Sequence, residues 1–79
     1  MTNSVLRKTK EKKEYNLSER EIDVLKHMAK GKTNSEIAKS MNITIHTVKV
    51  HVASILQKFE VRDRVQAIIK VISEKLVDI

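Results

Sequence analysis

The sequence contains no cysteine and no proline, only one glycine, and two aromatic residues, Tyr15 and Phe59. Without cysteine the chain can form no disulfide, no thiolate metal site and no cysteine nucleophile. Hairpins and β-meanders need glycine and proline for their tight turns, so the near absence of both favours helices joined by short connections. We therefore predict an all-α fold.

Long hydrophobic runs are also absent, although 41% of the 79 residues are hydrophobic. No segment approaches the roughly 18 apolar residues of a membrane-spanning helix, and the N-terminus lacks the apolar stretch of a secretory signal. A chain of this length fits one small domain. The sequence thus predicts a cytoplasmic protein with no membrane partner.

Basic residues outnumber acidic ones by sixteen to ten, which gives a formal net charge of +6. Net charge alone is equally compatible with a polyanion-binding protein and with a solvated basic surface. The distribution is more informative, because residues 37–59 contain no Asp or Glu. A DNA phosphate backbone repels carboxylates and attracts lysine, so this acid-free segment indicates a DNA-binding surface.

The beginning of the chain differs in composition from the rest. Residues 1–16 are rich in basic residues and poor in apolar ones, so we predict a disordered basic arm there. An ordered domain is expected over residues 17–79. Ser18 and Glu21 have the spacing of a capping box at the start of a first helix, and Gly31 is suited to its left-handed end.

Three further helices are predicted from their terminal residues. Thr33 and Glu36 repeat the capping-box spacing and predict a second helix of about two turns. Asn42 can adopt a left-handed turn conformation, and Thr44 is a suitable N-cap for a third helix. Asp63 marks the start of the fourth.

The segment 45–59 contains a short alternation of apolar and polar residues, which is typical of a strand. The alternation lasts only five residues, whereas a helical period aligns four apolar residues on one face over the whole segment: Val48, Val52, Ile55 and Phe59. A helix is therefore predicted. Its opposite face carries His46, Lys49, Val50, Ala53 and Gln57.

Four stretches together resemble the LuxR/FixJ helix-turn-helix family: LSERE at 17–21, GKTNSEIA at 31–38, IT at 43–44 with TVKVH at 47–51, and KFEVRDR at 58–64. The resemblance extends from residue 17 to about residue 72. It implies a four-helix domain that binds double-stranded DNA through its third helix, in a bacterial transcriptional regulator associated with the nucleoid. No cofactor is implied, and RNA polymerase is a candidate protein partner. In length the chain is similar to the stand-alone members, which lack a receiver or ligand domain.

The resemblance also implies roles for individual residues. Four would contact DNA bases: Lys49, Val50, Ala53 and His46. Five would contact the DNA backbone: Thr33, Asn34, Thr47, His51 and Lys58. Other interpretations remain open, since Lys49 could be a solvated charge, Val50 could contact a protein, and His51 could form a structural hydrogen bond.

The apolar residues of the fourth helix spread too widely to enter one small core. Ala67, Ile68 and Val71 fall on one side. A second side, roughly 100° away, carries Val65, Ile69, Ile72 and Leu76. An exposed aliphatic side usually marks an interface, and the family uses this helix for pairing. The sequence alone leaves open which side packs inward; guided by the resemblance to the family, we predict a homodimer through the second side.

Other functional classes fit the sequence less well. An enzyme would need a pocket with clustered reactive groups, and no such cluster is evident. His46 and His51 point in different directions on a helix and have no acidic neighbour in sequence, so no metal site is predicted. RNA or single-stranded DNA binding would need exposed aromatic residues. The alternative that stays open is a protein-interaction module of the same fold, acting as an adaptor or antagonist in a transcription complex.

Overall fold

The computed structural model describes residues 15–77, which form four α-helices joined by short turns. In chain order these are α1 (Glu19–Ala29), α2 (Asn34–Met41), α3 (Ile45–Phe59) and α4 (Arg64–Ser73). None of residues 15–77 lies in a strand, so the predicted all-α fold of four helices is confirmed. Within the same residues no helix is both long and apolar enough to cross a membrane.

All four predicted helix starts are present. Ser18 and Thr33 form complete capping boxes, in which the cap side chain accepts a backbone N–H while a glutamate three residues later accepts the N–H of the cap. Thr44 accepts a hydrogen bond from the backbone N–H of Thr47 at 3.1 Å, and Asp63 caps α4 in the same way. These local bonds fix where each helix begins.

Several helices end in a left-handed residue. Gly31 (φ 83°) follows α1 and Asn42 (φ 56°) follows α2, as the sequence predicts. Glu60 (φ 57°) and Lys75 (φ 54°) take the same conformation after α3 and α4, which the sequence analysis does not anticipate. A left-handed conformation costs a residue with a Cβ about 1 kcal/mol or more. The residues that follow Glu60 and Lys75, Val61 and Leu76, pack against the core and can offset this cost.

The core lies where α1 packs against α3 and α4, with α2 resting on α3. α3 contributes Val48, Ile55 and Phe59 to it, and all three are buried. The other buried apolar residues are Val24, Leu25, Met28, Ile37, Ala38, Ala67 and Val71. This packing confirms the helical interpretation of residues 45–59 and leaves the opposite face of α3 in contact with solvent.

The packed domain begins earlier than the sequence indicates. Tyr15, which the sequence analysis assigns to the arm, packs edge-on against Phe59 with ring centroids 4.8 Å apart. Its hydroxyl donates to Glu74 Oε1 at 2.7 Å, and the carbonyl of Asn16 accepts from Lys58 Nζ at 2.9 Å. The aromatic ring finds an apolar partner and its hydroxyl a polar one, so Tyr15 belongs to the domain. The rest of the predicted arm lies outside the described residues, and its disorder stays a prediction.

Candidate nucleic-acid interface

The four residues predicted to contact bases lie together on the exposed face of α3. His46, Lys49, Val50 and Ala53 are all exposed, and Val50 keeps 52% of its accessible surface. At about 100° per residue they occupy an arc of roughly 100° around the helix. The core residues of α3 lie on the other side, so this face can approach a partner without disturbing the fold.

The connection between α2 and α3 sets how the two helices meet. Asn42 turns the chain, and the N–H of Ile43 then donates to the carbonyl of Ala38 at 3.0 Å. Ile43 packs against the core, which anchors the turn. The exposed hydroxyl of Thr44 caps α3 and lies 2.9 Å from the hydroxyl of Thr47. The start of α3 is therefore held rigidly beside α2.

Three of the predicted backbone contacts, Thr33, Asn34 and Thr47, lie at or near helix starts. Thr33 is exposed at the start of α2, where its oxygen accepts from the N–H of Glu36 at 3.2 Å. A hydroxyl that accepts one hydrogen bond can still donate its proton to another oxygen, such as that of a phosphate. Thr47 lies in the first turn of α3 and is half-buried. His51, further along α3, is also half-buried.

Asn34 has a partner that the sequence analysis misses. Its Oδ1 accepts a hydrogen bond from Arg64 Nη1 at 2.6 Å. Arg64 Nη2 also donates to the carbonyl of Lys32 at 3.1 Å. Arg64 is the first residue of α4, and local patterns give no signal for a contact with a residue thirty positions earlier.

Lys58 differs from the other predicted backbone contacts. Its ammonium lies 2.7 Å from Glu21 Oε1 and donates to the carbonyl of Asn16 at 2.9 Å. These two bonds use two of the three N–H groups of the ammonium. The geometry thus makes Lys58 chiefly a structural residue, and its contact with a phosphate stays a prediction that this geometry does not favour.

Glu21 is the buried partner of that ion pair. Burial raises the pKa of its carboxyl, but hydrogen bonds from Lys58, Ser54 and the backbone N–H of Ser18, together with the charge of Lys58, lower the pKa to about 2. The carboxylate is therefore ionised at neutral pH. It joins the start of α1 to the C-terminal half of α3, whereas the sequence analysis gives Glu21 only a capping role.

The outer side of α4 carries an aliphatic row that no described residue covers. Val65, Ile69 and Ile72 are 62%, 60% and 50% exposed, whereas Ala67 and Val71 are fully buried. This division places the two sides of α4 as the sequence analysis expects.

Leu76, the fourth predicted member of the row, lies elsewhere. The helix ends at Ser73, and the left-handed Lys75 turns the chain back toward the domain. The N–H of Leu76 then donates to the carbonyl of Val71 at 3.0 Å, and its side chain packs half-buried against the core. Helical extrapolation fails here because the helix has already ended.

A comparison with known protein families adds evidence that is independent of this geometry. The family described as bacterial regulatory proteins, luxR family, matches residues 15–71. The chain belongs to this family. The match begins at Tyr15, and it confirms the resemblance inferred from the sequence.

Individual bacterial proteins are similar to this chain over most of its length. The response regulator protein VraR of Staphylococcus aureus (strain Mu3) is 51% identical over 61 residues, and the proteins of the same name in Staphylococcus saprophyticus and Staphylococcus epidermidis are equally similar. The alignment covers 77% of this chain but 29% of each relative, so the chain spans less than a third of the length of the relatives it matches. The family consists of bacterial regulatory proteins, which agrees with the regulatory function that the sequence resemblance implies.

Proposed function

We propose that this chain regulates transcription by binding specific sites in double-stranded DNA, with α3 in the major groove. The observation that carries the proposal is the exposed face of α3, where Lys49 and Val50 stand side by side in a segment free of acidic residues. Lys49 can donate to guanine O6 and N7, while Val50 and Ala53 can touch thymine methyl groups. His46, on the same face, offers a further polar contact to a base edge.

Contacts to phosphates would fix the orientation of α3 in the groove. Thr33, Asn34 and Thr47 lie at or near the starts of α2 and α3 and present side-chain donors there. Such contacts position the protein on the duplex without reading its sequence. His51 and Lys58 are assigned to the same group, with Lys58 the weaker member because of its ion pair with Glu21.

The proposal is tested by fluorescence anisotropy with a labelled random duplex at 50 and 200 mM salt. Each lysine or arginine contact with a phosphate releases counterions, so a complex with six to ten such contacts loses on the order of a thousandfold or more in affinity over this range. Single-stranded DNA of the same length is the control. Absence of duplex binding at low salt, or an affinity that does not change with salt concentration, would contradict the proposal and favour the adaptor function.

We further propose that the protein binds DNA as a homodimer through α4. The exposed side chains of Val65, Ile69 and Ile72 form an aliphatic surface of the kind that marks interfaces. A two-fold pair would present two copies of α3 about one DNA turn apart. In this arrangement the dimer acts at the nucleoid in the bacterial cytoplasm, with RNA polymerase as the protein it influences.

Two substitutions of Ile69 with opposite charges test the dimer. Ile69→Glu and Ile69→Lys should both sediment as monomers, because a charge at an interface opposes association. Circular dichroism should show that both variants remain helical. Operator binding should weaken in both variants, even though lysine adds attraction to DNA. The proposed interface on α4 is wrong if both variants remain dimers, and loss of helicity in both would contradict the exposed position of Ile69.

A further inference from the structure

Arg64 connects two parts of the domain that are distant in sequence. It lies at the start of α4, and its half-buried guanidinium reaches the start of α2, where it donates to Asn34 Oδ1 at 2.6 Å and to the carbonyl of Lys32 at 3.1 Å. The planar guanidinium can hold two acceptors at once in a fixed geometry, which the single ammonium of lysine cannot reproduce.

The contact with Arg64 determines which way the Asn34 amide points. Because a guanidinium only donates, the atom that faces it must be the amide oxygen, and the amide nitrogen must then point elsewhere. Within residues 15–77 that nitrogen has no hydrogen-bond partner, and no buried side-chain nitrogen or oxygen there is left unpaired. The N–H groups of Asn34 therefore reach solvent at the start of α2.

We infer that Arg64 is a positioning residue for DNA binding: it orients the Asn34 amide so that its N–H groups, and not its oxygen, meet a phosphate. The inference rests on the proposed function and adds to it a specific link between α4 and the DNA-facing end of α2. An amide released from Arg64 could rotate and present its oxygen, which phosphate repels. Arg64 thus acts on DNA through Asn34 while lying outside the base-contacting face of α3.

A double-mutant cycle on the full chain tests this link, with anisotropy on a random duplex at low salt. Asn34→Ala and Arg64→Lys should each weaken binding roughly threefold to tenfold, the size of one hydrogen bond. The affinity of the double variant should be no lower than that of the single variant with the lower affinity, because both changes remove the same contact between the Asn34 amide and a phosphate. Additive losses, or wild-type affinity in Arg64→Lys, would overturn the inference.

Asn34→Asp separates positioning from a structural role. Aspartate keeps an oxygen for Arg64 but has no N–H to offer and adds a negative charge. We expect this variant to melt no lower than the wild type and to bind DNA at least as weakly as Asn34→Ala. Wild-type affinity in Asn34→Asp would overturn the inference.

A matched control and the wild-type measurement complete the design. Arg20 is exposed on α1, so Arg20→Lys makes the same chemical change as Arg64→Lys away from α2 and should bind as the wild type does. Circular dichroism establishes that each variant is folded at the temperature of the titration. Wild-type protein that fails to bind duplex DNA would refute the proposed function and the inference with it, whereas wild-type binding with an additive cycle refutes the positioning role alone.

Discussion

Lys49 and Lys58 belong to the same helix and the same acid-free segment, yet they lie in opposite environments. Lys49 is exposed beside Val50, whereas Lys58 pairs with Glu21 of α1 at 2.7 Å. The two lysines are nine positions apart, which at about 100° per residue places them on opposite sides of α3. A segment without acidic residues can therefore still meet a carboxylate, because another helix supplies it.

The energetic consequences of the two environments differ as well. The side chain of Glu21 is 7% exposed, so removal of Lys58 leaves a nearly buried carboxylate without its counter-ion. An unpaired charge in such a place is costly, while an exposed lysine contributes little to folding. The comparison assigns Lys58 to stability and leaves Lys49 available for the recognition role that we propose, and four experiments test this distinction.

The largest effect is expected from Lys58→Ala. Breaking a fully buried ion pair costs 3–5 kcal/mol, and since the Lys58 side chain is 31% exposed we expect a smaller loss of about 2–4 kcal/mol in the free energy of unfolding. Urea denaturation followed by circular dichroism measures it. Lys49→Ala is the matched control and should stay within about 0.5 kcal/mol of the wild type. Equal stability of the two variants would remove the distinction between the lysines.

Acid should weaken the same ion pair. The pKa of Glu21 is lowered to about 2 from an ordinary value of 4.5, so the stabilisation from its ionised form is complete above about pH 4.5 and is lost as the pH falls toward 2. At 1.36 kcal/mol per pKa unit this amounts to up to about 3 kcal/mol. Glu74, whose pKa is also lowered, adds a separate contribution.

The contribution of Glu21 is isolated by comparing the wild type with Glu21→Gln. Unfolding free energies are measured in urea at pH 6 and at the lowest pH at which both proteins fold. The variant should be less stable at pH 6, and the difference between the two proteins should shrink in acid. A difference that does not change with pH would show that the Glu21 carboxylate does not stabilise the fold through its charge.

Lys49 is the subject of the third experiment. Lys49→Ala should weaken binding to a selected duplex site by about 1–3 kcal/mol, the discrimination that one good base contact provides, and should weaken binding to random duplex less. Val50→Ala should show the same pattern with a smaller change. Equal losses on both duplexes would make Lys49 a phosphate contact.

Features that depend on neighbouring residues could be predicted from the sequence. The caps at Ser18, Thr33, Thr44 and Asp63 depend on bonds to groups three residues away, and all four are present. Helical periodicity likewise separated the buried from the exposed side of α3. Both signals are contained in short stretches of chain, which is why they can be read without knowing the fold.

Features that join distant residues could not be predicted. Lys58 meets Glu21, Arg64 meets Asn34, and the hydroxyl of Tyr15 meets Glu74. Periodicity tells which side of a helix a polar residue occupies, but the partner on that side depends on how the helices pack. The exposed side of α3 was therefore predicted correctly, and its contact with DNA stays a prediction, while the contacts of Asn34 with Arg64 and of Lys58 with Glu21 were missed.

The left-handed ends at Glu60 and Lys75 escaped prediction for a related reason. Glycine and asparagine tolerate this conformation by themselves, whereas in glutamate and lysine it carries a steric cost that packing of the following residue can offset. After α4 the packed residue is Leu76, and its inward position removed it from the predicted dimer surface. The end of a helix thus depended on tertiary contacts that no local pattern shows.

The smallest effect is expected from Tyr15→Phe. This variant tests whether contacts at the C-terminal end of α3 stabilise the fold without taking part in DNA binding. The substitution keeps the ring that packs against Phe59 and removes the hydroxyl that donates to Glu74 at 2.7 Å. We expect a loss of about 0.5–1.5 kcal/mol in the free energy of unfolding, the usual contribution of one hydrogen bond.

The Tyr15 hydrogen bond is also the largest cause of the lowered pKa of Glu74, so NMR titration of that carboxyl should show its pKa rising toward the ordinary value. The affinity of the variant for duplex DNA should not change, because Tyr15 and Phe59 lie at the end of α3 away from Lys49. Unchanged stability together with an unchanged Glu74 pKa would show that the Tyr15 hydroxyl does not stabilise this end of the domain.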